Sequence, residues 1–364
     1  MKLQVTQENL SKALSNVAKI AMANKNPLPI LNNVMLKTID GRLSLSATNL
    51  EIAITEKIGS KVSEQGAITV PARLMQEYIT SLPSGVLELE LNETKLNIST
   101  EQYRSTINGV VADDFPSFPT IDESVSISLP IKDFKKGLQQ VVFAASHDDS
   151  RPVLTGVFLH TVNGILHAAA TDSYRLAEKT FSKIAQELSL LVPADAILEL
   201  LRVIPETEDT VTISADAQQV LFKAGDIELV TRLIDATYPD YKKLIPKNFT
   251  TTATLPRDEL VSITKVSSLF ARESAGSITL HVDAIDGVVS INSIASQLGE
   301  NSSKAKATVE GSGEVTLNSR YLLDSLNALG TKDVTISFNS KLEPFVLTSS
   351  QATNQTYIVM PLKS

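Results

Sequence analysis

The chain repeats itself three times, and that repetition limits its possible folds more than any other feature. VPARLMQEYITSLP from Val70 returns as VPADAILELLRVIP from Val192 and as LNSRYLLDSLNALG from Leu317, at spacings of 122 and 125 residues. GRLSLSATNLE from Gly41 returns from Gly164 and Gly287, spaced 123 and 123, and LELELN from Leu87 returns as VTISAD from Val211 and VTISFN from Val334, spaced 124 and 123. Three independent markers agree on one period, and that period divides the 364 residues into three. Units of this length are whole small domains rather than solenoid repeats. The expected domains are 1–122, 123–248 and 249–364, parted where Pro, Ser and Thr cluster at 119–126 and 246–251.

Inside each unit two periods alternate. Leu10, Leu14 and Val17 fall at helical spacing, as do Phe134, Leu138 and Val141, and Leu260 and Ile263 open the same segment in the third unit. Alternating stretches such as Leu43-Ser44-Leu45 follow, then a second helix with Pro71 or Pro193 near its start, then strands such as Leu87-Glu88-Leu89-Glu90-Leu91. Helix, strands, helix, strands defines an α+β class of mostly antiparallel sheet with two helices per unit. Helices are expected over 7–23, 72–82, 131–145, 194–204, 257–273 and 319–329.

Composition removes several kinds of chemistry. With no cysteine there is no disulfide, thiolate metal site or cysteine nucleophile. Without tryptophan and with 5% aromatics, a base-stacking platform is not expected. A net charge of −8 argues against coating nucleic acid with bulk basic surface. No secretory or membrane-length apolar run occurs, so a cytosolic protein is expected, and the triplets at Asn92, Asn97, Asn248, Asn301 and Asn354 are not read as glycosylation sites. Phosphate-loop, dinucleotide, metalloprotease and nucleophile-elbow motifs are missing. His147-Asp148-Asp149 is the nearest approach to a metal or acid–base cluster, and it reads more simply as a solvated loop. His160, His167 and His281 sit at strand-like positions with no partner spacing. Asp113-Asp114 precedes Phe115-Pro116 much as repeat two closes on Tyr238-Pro239, which makes it a structural corner. The second repeat diverges at Thr171-Asp172-Ser173-Tyr174-Arg175-Leu176, where Asp172 and Arg175 either pair to brace a loop or present a recognition surface. On these grounds no metal and no cofactor are expected.

ATNLEIAI, VPARL, ATDSYRLA, YPDYKKLIPKN, LNSRYLLDSLNALG, the terminal YIVMPLKS and PLPIL at 27–31 resemble, in order and from end to end, the bacterial β sliding clamp family, the processivity subunits of the replicative DNA polymerase III holoenzyme. The resemblance implies a non-enzymatic protein that forms a head-to-tail homodimer. Its six domains would close a ring on double-stranded DNA, with helices lining the hole. Its implied protein partners are the replicative polymerase, the clamp loader and repair polymerases, each through a short Gln-Leu/Phe-type peptide. Geometry agrees: modules roughly 35 Å across leave almost no hole as a triangle, but as a hexagon leave about 25–35 Å, against roughly 20 Å for B-DNA. The expected helices sum to +2, leaving −10 elsewhere, and a mildly positive lining suits sliding rather than tight contact.

Carried over position by position, the resemblance implies a peptide groove from Leu154, Thr171, Ser173, Tyr174, Arg175, Leu176, Pro239 and Leu244, completed by Asn318, Tyr321, Leu342, Pro344, Ile358, Val359, Met360, Pro361 and Leu362. Apolar walls with a few polar anchors suit an extended peptide, and Leu176→Asp, or deletion of 360–364, is expected to abolish its binding while leaving the dimer intact. Lys25, Arg73 and Arg151 are the implied DNA-facing residues, and Ile107, Leu269 and Phe270 the implied ring contacts. Tyr174 stands where the family often has His, Asp148 and Asp195 where it can carry polar or basic residues, and Pro152-Val153 replace an aromatic pair. The rivals are a hydrolase or transferase with its site in repeat two, and a peptide-binding scaffold that never encircles DNA.

Overall fold

The computed structural model describes residues 1–22, 28–118, 121, 126–295 and 299–362. Among these, six α-helices are found: α1 Gln7–Ala21, α2 Ala72–Ser81, α3 Ile131–Gln139, α4 Ala194–Val203, α5 Arg257–Phe270 and α6 Ser319–Leu329. Each expected helix is present, and the starts agree with the sequence reading. Thr6 caps α1 by accepting from Asn9 N, and Asn318 caps α6 by accepting from the amides of Arg320 and Tyr321. Pro71 and Pro256 are the N-cap residues of α2 and α5, one place earlier than the first helical turn.

Two helix ends are corrected. The helix expected to 145 stops at Gln139, and a 3₁₀ turn at Val142–Ala144 takes over. The β-branched pair Val141-Val142 disfavours further helix, and Gly137 weakens the last turn. That glycine is required, because a Cβ there would lie 2.4 Å from the Phe181 ring. The helix expected to 273 stops at Phe270, and a 3₁₀ turn at Arg272–Ser274 leads into left-handed Ala275 and Gly276.

The described strands form four antiparallel sheets. One runs Lys61–Glu64, Lys2–Thr6, Val86–Asn92, Lys95–Ser99, Arg104–Asn108, and another runs Gly299–Lys306, Val288–Ala295, Ser277–Asp283, Gly313–Asn318. The larger two cross the repeat boundaries. In the eight-stranded sheet Ile227–Arg232 of repeat two pairs with Ile52–Ile58 of repeat one. In the nine-stranded sheet Gln355–Val359 of repeat three pairs with Arg175–Lys183 of repeat two. Packing follows the sheets, so the chain forms two compact units: Met1–Lys132 with Leu198–Leu233, and Asp133–Ile197 with Ile234–Ser364. In the first unit the buried face of α1, Leu10, Ala13, Leu14 and Val17, packs on α2 and on strands within 33–58. In the second, α5 packs on α6 and on Val288–Ala295 and Gly299–Lys306. Among the described residues no helix is long and apolar enough to cross a membrane.

Candidate peptide groove

The divergent segment of repeat two is a tight turn built by its own side chains. Thr171 Oγ1 donates to Arg175 O at 2.6 Å and accepts from Ser173 N at 3.2 Å. Asp172 Oδ1 accepts from Tyr174 N and Arg175 N, both at 2.9 Å. These bonds hold Ser173 at a φ of +79°, where a non-glycine residue is uncommon. Arg175 then meets the first expectation, the bracing pair. It pairs with Asp172 at 3.0 Å, bracing the turn, and with Asp324 of α6 at 2.6 Å, while its guanidinium lies 4.7 Å from the Tyr321 ring centre and 5.3 Å from that of Phe143.

From this turn the sheet brings several of the expected groove residues together. Arg175 and Leu176 lie opposite Val359 and Ile358, Met360 N donates to Tyr174 O at 2.8 Å, and Tyr174 stacks on Tyr321. Leu342 and Pro344 lead into Phe345–Thr348, the strand beside Gln355–Val359, and Leu362 N ties the tail to Thr316 O at 2.8 Å. The residues divide into a floor and a lip. Leu154, Thr171, Arg175, Leu176, Ile358 and Val359 are buried; Ser173, Tyr174, Pro239, Leu244 and Leu342 are exposed. Asn318, Tyr321, Pro344, Met360, Pro361 and Leu362 lie between these extremes.

Leu176 needs a correction. At 2% exposure it belongs to a core cluster with Ala169, Leu191, Tyr238, Tyr241, Val346 and Ile358, so a carboxylate there breaks the fold along with the groove.

Beside that cluster lies a polar network that the sequence reading missed. His160 and His167, which it left without partners, are directly opposed across neighbouring strands. Glu178, 7% exposed, accepts from Tyr241 Oη at 2.7 Å and from Lys242 Nζ, and lies 3.1 Å from His167 Nδ1, while Tyr241 Oη also meets His160 Nε2 at 3.2 Å. Burial alone would raise the Glu178 carboxyl, but the bonds from His167, Lys242 and Tyr241 outweigh it and hold the group down at about 2. Burial, and then the neighbouring His167, push His160 down to about 4. The Tyr241 hydroxyl is shifted upward by burial and by the Glu178 charge. The network fixes the Tyr241–Leu244 turn, which carries Leu244 onto the lip. The sequence pattern already placed both histidines in strands; their opposition is a matter of register.

The other expected residues scatter. Lys25 lies outside the described residues. Arg73 is exposed on α2. Arg151 Nη1 donates to Ser173 Oγ at 3.1 Å, beside the peptide groove. Leu269 is 51% exposed and Phe270 half-buried at the end of α5. Ile107 is corrected to a core residue: 4% exposed, it lies opposite Leu96 in its own sheet. Asp148, Asp149 and Asp195 are exposed, and no group of three or more His, Cys, Asp or Glu among the described residues is placed to hold a metal. Asp113 and Asp114 form an exposed 3₁₀ turn ahead of buried Phe115, as a corner does. His281, also left without a partner, pairs with Glu314 at 2.9 Å.

Three sheet-and-helix repeats, the second and third joined in one sheet with Tyr174, Tyr321 and Met360 gathered at the tight turn, define a repeat scaffold. Family models for the DNA polymerase III beta subunit match the whole length in order: N-terminal domain over 1–119, central domain over 128–240 and C-terminal domain over 242–363. The beta sliding clamp of a Synechocystis species is 31% identical, covering 100% of this chain and 99% of the relative. Among solved structures, the DNA polymerase sliding clamp of Bacillus subtilis superposes with a TM-score of 0.95 at 26% identity, covering 100% of this chain and 99% of that one. A Pseudomonas aeruginosa sliding clamp solved bound to griselimycin gives 0.94 at 26% identity, with both chains covered completely. The chain belongs to the bacterial β sliding clamp family, the DNA polymerase III beta subunits.

Proposed function

We propose that two copies of this chain close head to tail into a six-domain ring around duplex DNA. The ring would tether the replicative polymerase, and other replication and repair proteins, through peptides seated in the groove. The modules are 1–122, 123–248 and 249–364, the compartment is the cytoplasm, and the clamp itself catalyses nothing. The observation that carries the ring is a pairing rule inside the chain. The last strand of one repeat hydrogen-bonds to the strand after the tight turn in the repeat before it, as Ile227–Arg232 does with Ile52–Ile58 and Gln355–Val359 does with Arg175–Lys183. Two strands are left over: Arg104–Asn108, the last of repeat one, and Gly299–Lys306, which follows the hairpin in repeat three. Both are sheet edges. An open edge is a template for pairing with another chain, and joining these two on successive copies satisfies both.

The helices support the same contact. Lys19 near the end of α1 pairs with Glu199 of α4 at 3.1 Å, and Arg202 of α4 donates to Asn16 O at 2.7 Å. Counting from the helix starts, α5 carries Val266 and Leu269 where α1 has Asn16 and Lys19, and α2 presents Leu74; all three are exposed apolar residues in the single chain. Leu269, with Phe270 beside it, is therefore assigned to the ring contact.

The test is retention on nicked circular DNA after loading by the cognate loader with ATP, followed by linearisation. Retention on circles with release on cutting is the expected result. Equal retention on both forms would mean ordinary DNA affinity and no topological link. No retention on either, with the loader active on another clamp, would leave a peptide scaffold.

A further inference from the structure

The turn that builds the groove occurs twice. In repeat one, Thr48 Oγ1 donates to Ile52 O at 3.0 Å and accepts from Leu50 N at 3.0 Å, while Asn49 Oδ1 accepts from Glu51 N at 3.0 Å and Ile52 N at 2.8 Å. Leu50 takes the φ of +76° that matches Ser173 at +79°. Arg232 N donates to Glu51 O at 3.1 Å, as Met360 N does to Tyr174 O at 2.8 Å. The scaffold that positions the groove is thus reproduced bond for bond within the first compact unit.

It encloses a cavity of about 280 Å³ walled by Leu50, Ile52, Pro116, Phe118 and Val230. That is near the lower end of ligand sites, room for one bulky side chain and its flanking peptide units. The turn itself points to an occupant. Leu50 is 43% exposed although its turn holds a sparsely populated backbone conformation, so strain is maintained at a residue that fills no core. At the rim Glu51 and Arg232 lie 3.8 Å apart and both are largely exposed. They offer an acceptor and a donor with no net charge, which complements a neutral peptide main chain.

We propose that this pocket is a second linear-peptide site, taking the apolar side chain of an uncharged extended segment. The ligand class rests on the peptide reading of the groove; the pocket itself does not. The probe is a short fluorescent peptide containing Gln and Leu-Phe with a photoreactive group, cross-linked to the full-length protein and mapped by mass spectrometry. Leu244→Asp with Leu342→Asp closes the groove lip. Leu50→Gly removes the apolar side chain while suiting the positive φ, so the turn survives.

The groove-blocked protein is expected to retain cross-links within 48–53, 116–118 or 230–232, and adding Leu50→Gly is expected to weaken them about tenfold through loss of one leucine contact. Cross-links at the groove of the unmodified protein but none at these segments in the blocked one would overturn the second site and leave the groove standing. Cross-links undiminished by Leu50→Gly would overturn the placement. No cross-link at either pocket of the unmodified protein would overturn the peptide class for both.

Discussion

Replacing Glu178 by glutamine keeps the size of the side chain and its acceptor for Tyr241, and removes one buried negative charge. The folded carboxyl is held at about 2 against an ordinary value of 4.5. At about 1.4 kcal/mol per unit, the charge contributes on the order of 3 kcal/mol. Because the folded value lies below the unfolded one, that contribution is complete above pH 4.5 and is lost as pH falls from 4.5 through about 2. His160 adds a second slope: held at about 4 instead of 6.5, it keeps its full contribution above pH 6.5 and loses it as pH falls to about 4. That slope is nearly common to both proteins, because the Glu178 charge is the smallest of the influences on His160. Calorimetric melts of Glu178→Gln and the unmodified protein from pH 8 to pH 3 are the assay. The variant is expected to be less stable by about 3 kcal/mol at neutral pH, with the gap narrowing steadily below pH 4.5. A gap that is absent at pH 7.5, or the same at pH 7 and pH 3, would refute the view that Lys242, Tyr241 and His167 hold this carboxylate in its charged form.

Three further outcomes are expected. Leu176→Asp places a carboxylate in the floor cluster and is expected to cost more than about 4 kcal/mol, seen as early melting and rapid proteolysis rather than a clean binding defect. Deleting residues 360–364 removes the bonds from Met360 N to Tyr174 O and from Leu362 N to Thr316 O. The strand Gln355–Val359 stays in place, so peptide binding by fluorescence polarisation is expected to vanish with the fold intact. Leu269→Asp changes an exposed residue, so stability is expected to stay within roughly 0.5 kcal/mol while light scattering reports monomers; an unchanged dimer would remove Leu269 from the interface.

Local rules carried the sequence reading a long way. The 123-residue period and the stripe Leu10, Leu14, Val17 depend on neighbours within a few turns of chain, and the helices start where that patterning puts them. Even Thr171-Asp172-Ser173-Tyr174-Arg175 was legible as an odd segment, because its residues differ from Thr48-Asn49-Leu50 in repeat one, although the turn they build is the same. Interactions between distant residues escaped. His160 meets a tyrosine 81 positions away, and His167 opposes it only because two strands pair in one register out of several. Leu176 and Ile107 read as apolar contact residues, yet whether such a side chain faces a partner or a core depends on which strands lie beside it.

The sequence by itself determined three α+β modules, their helices and the turn chemistry, since periodicity and side-chain-to-backbone bonding act over short spans. Only the tertiary structure decided that sheets cross the repeat boundaries, that Leu176 and Ile358 are buried while Tyr174 and Leu342 are exposed, and that Arg151 stands at Ser173. Strand order and burial are settled by competition among distant segments for the same hydrogen bonds and the same core, and nothing local records who wins.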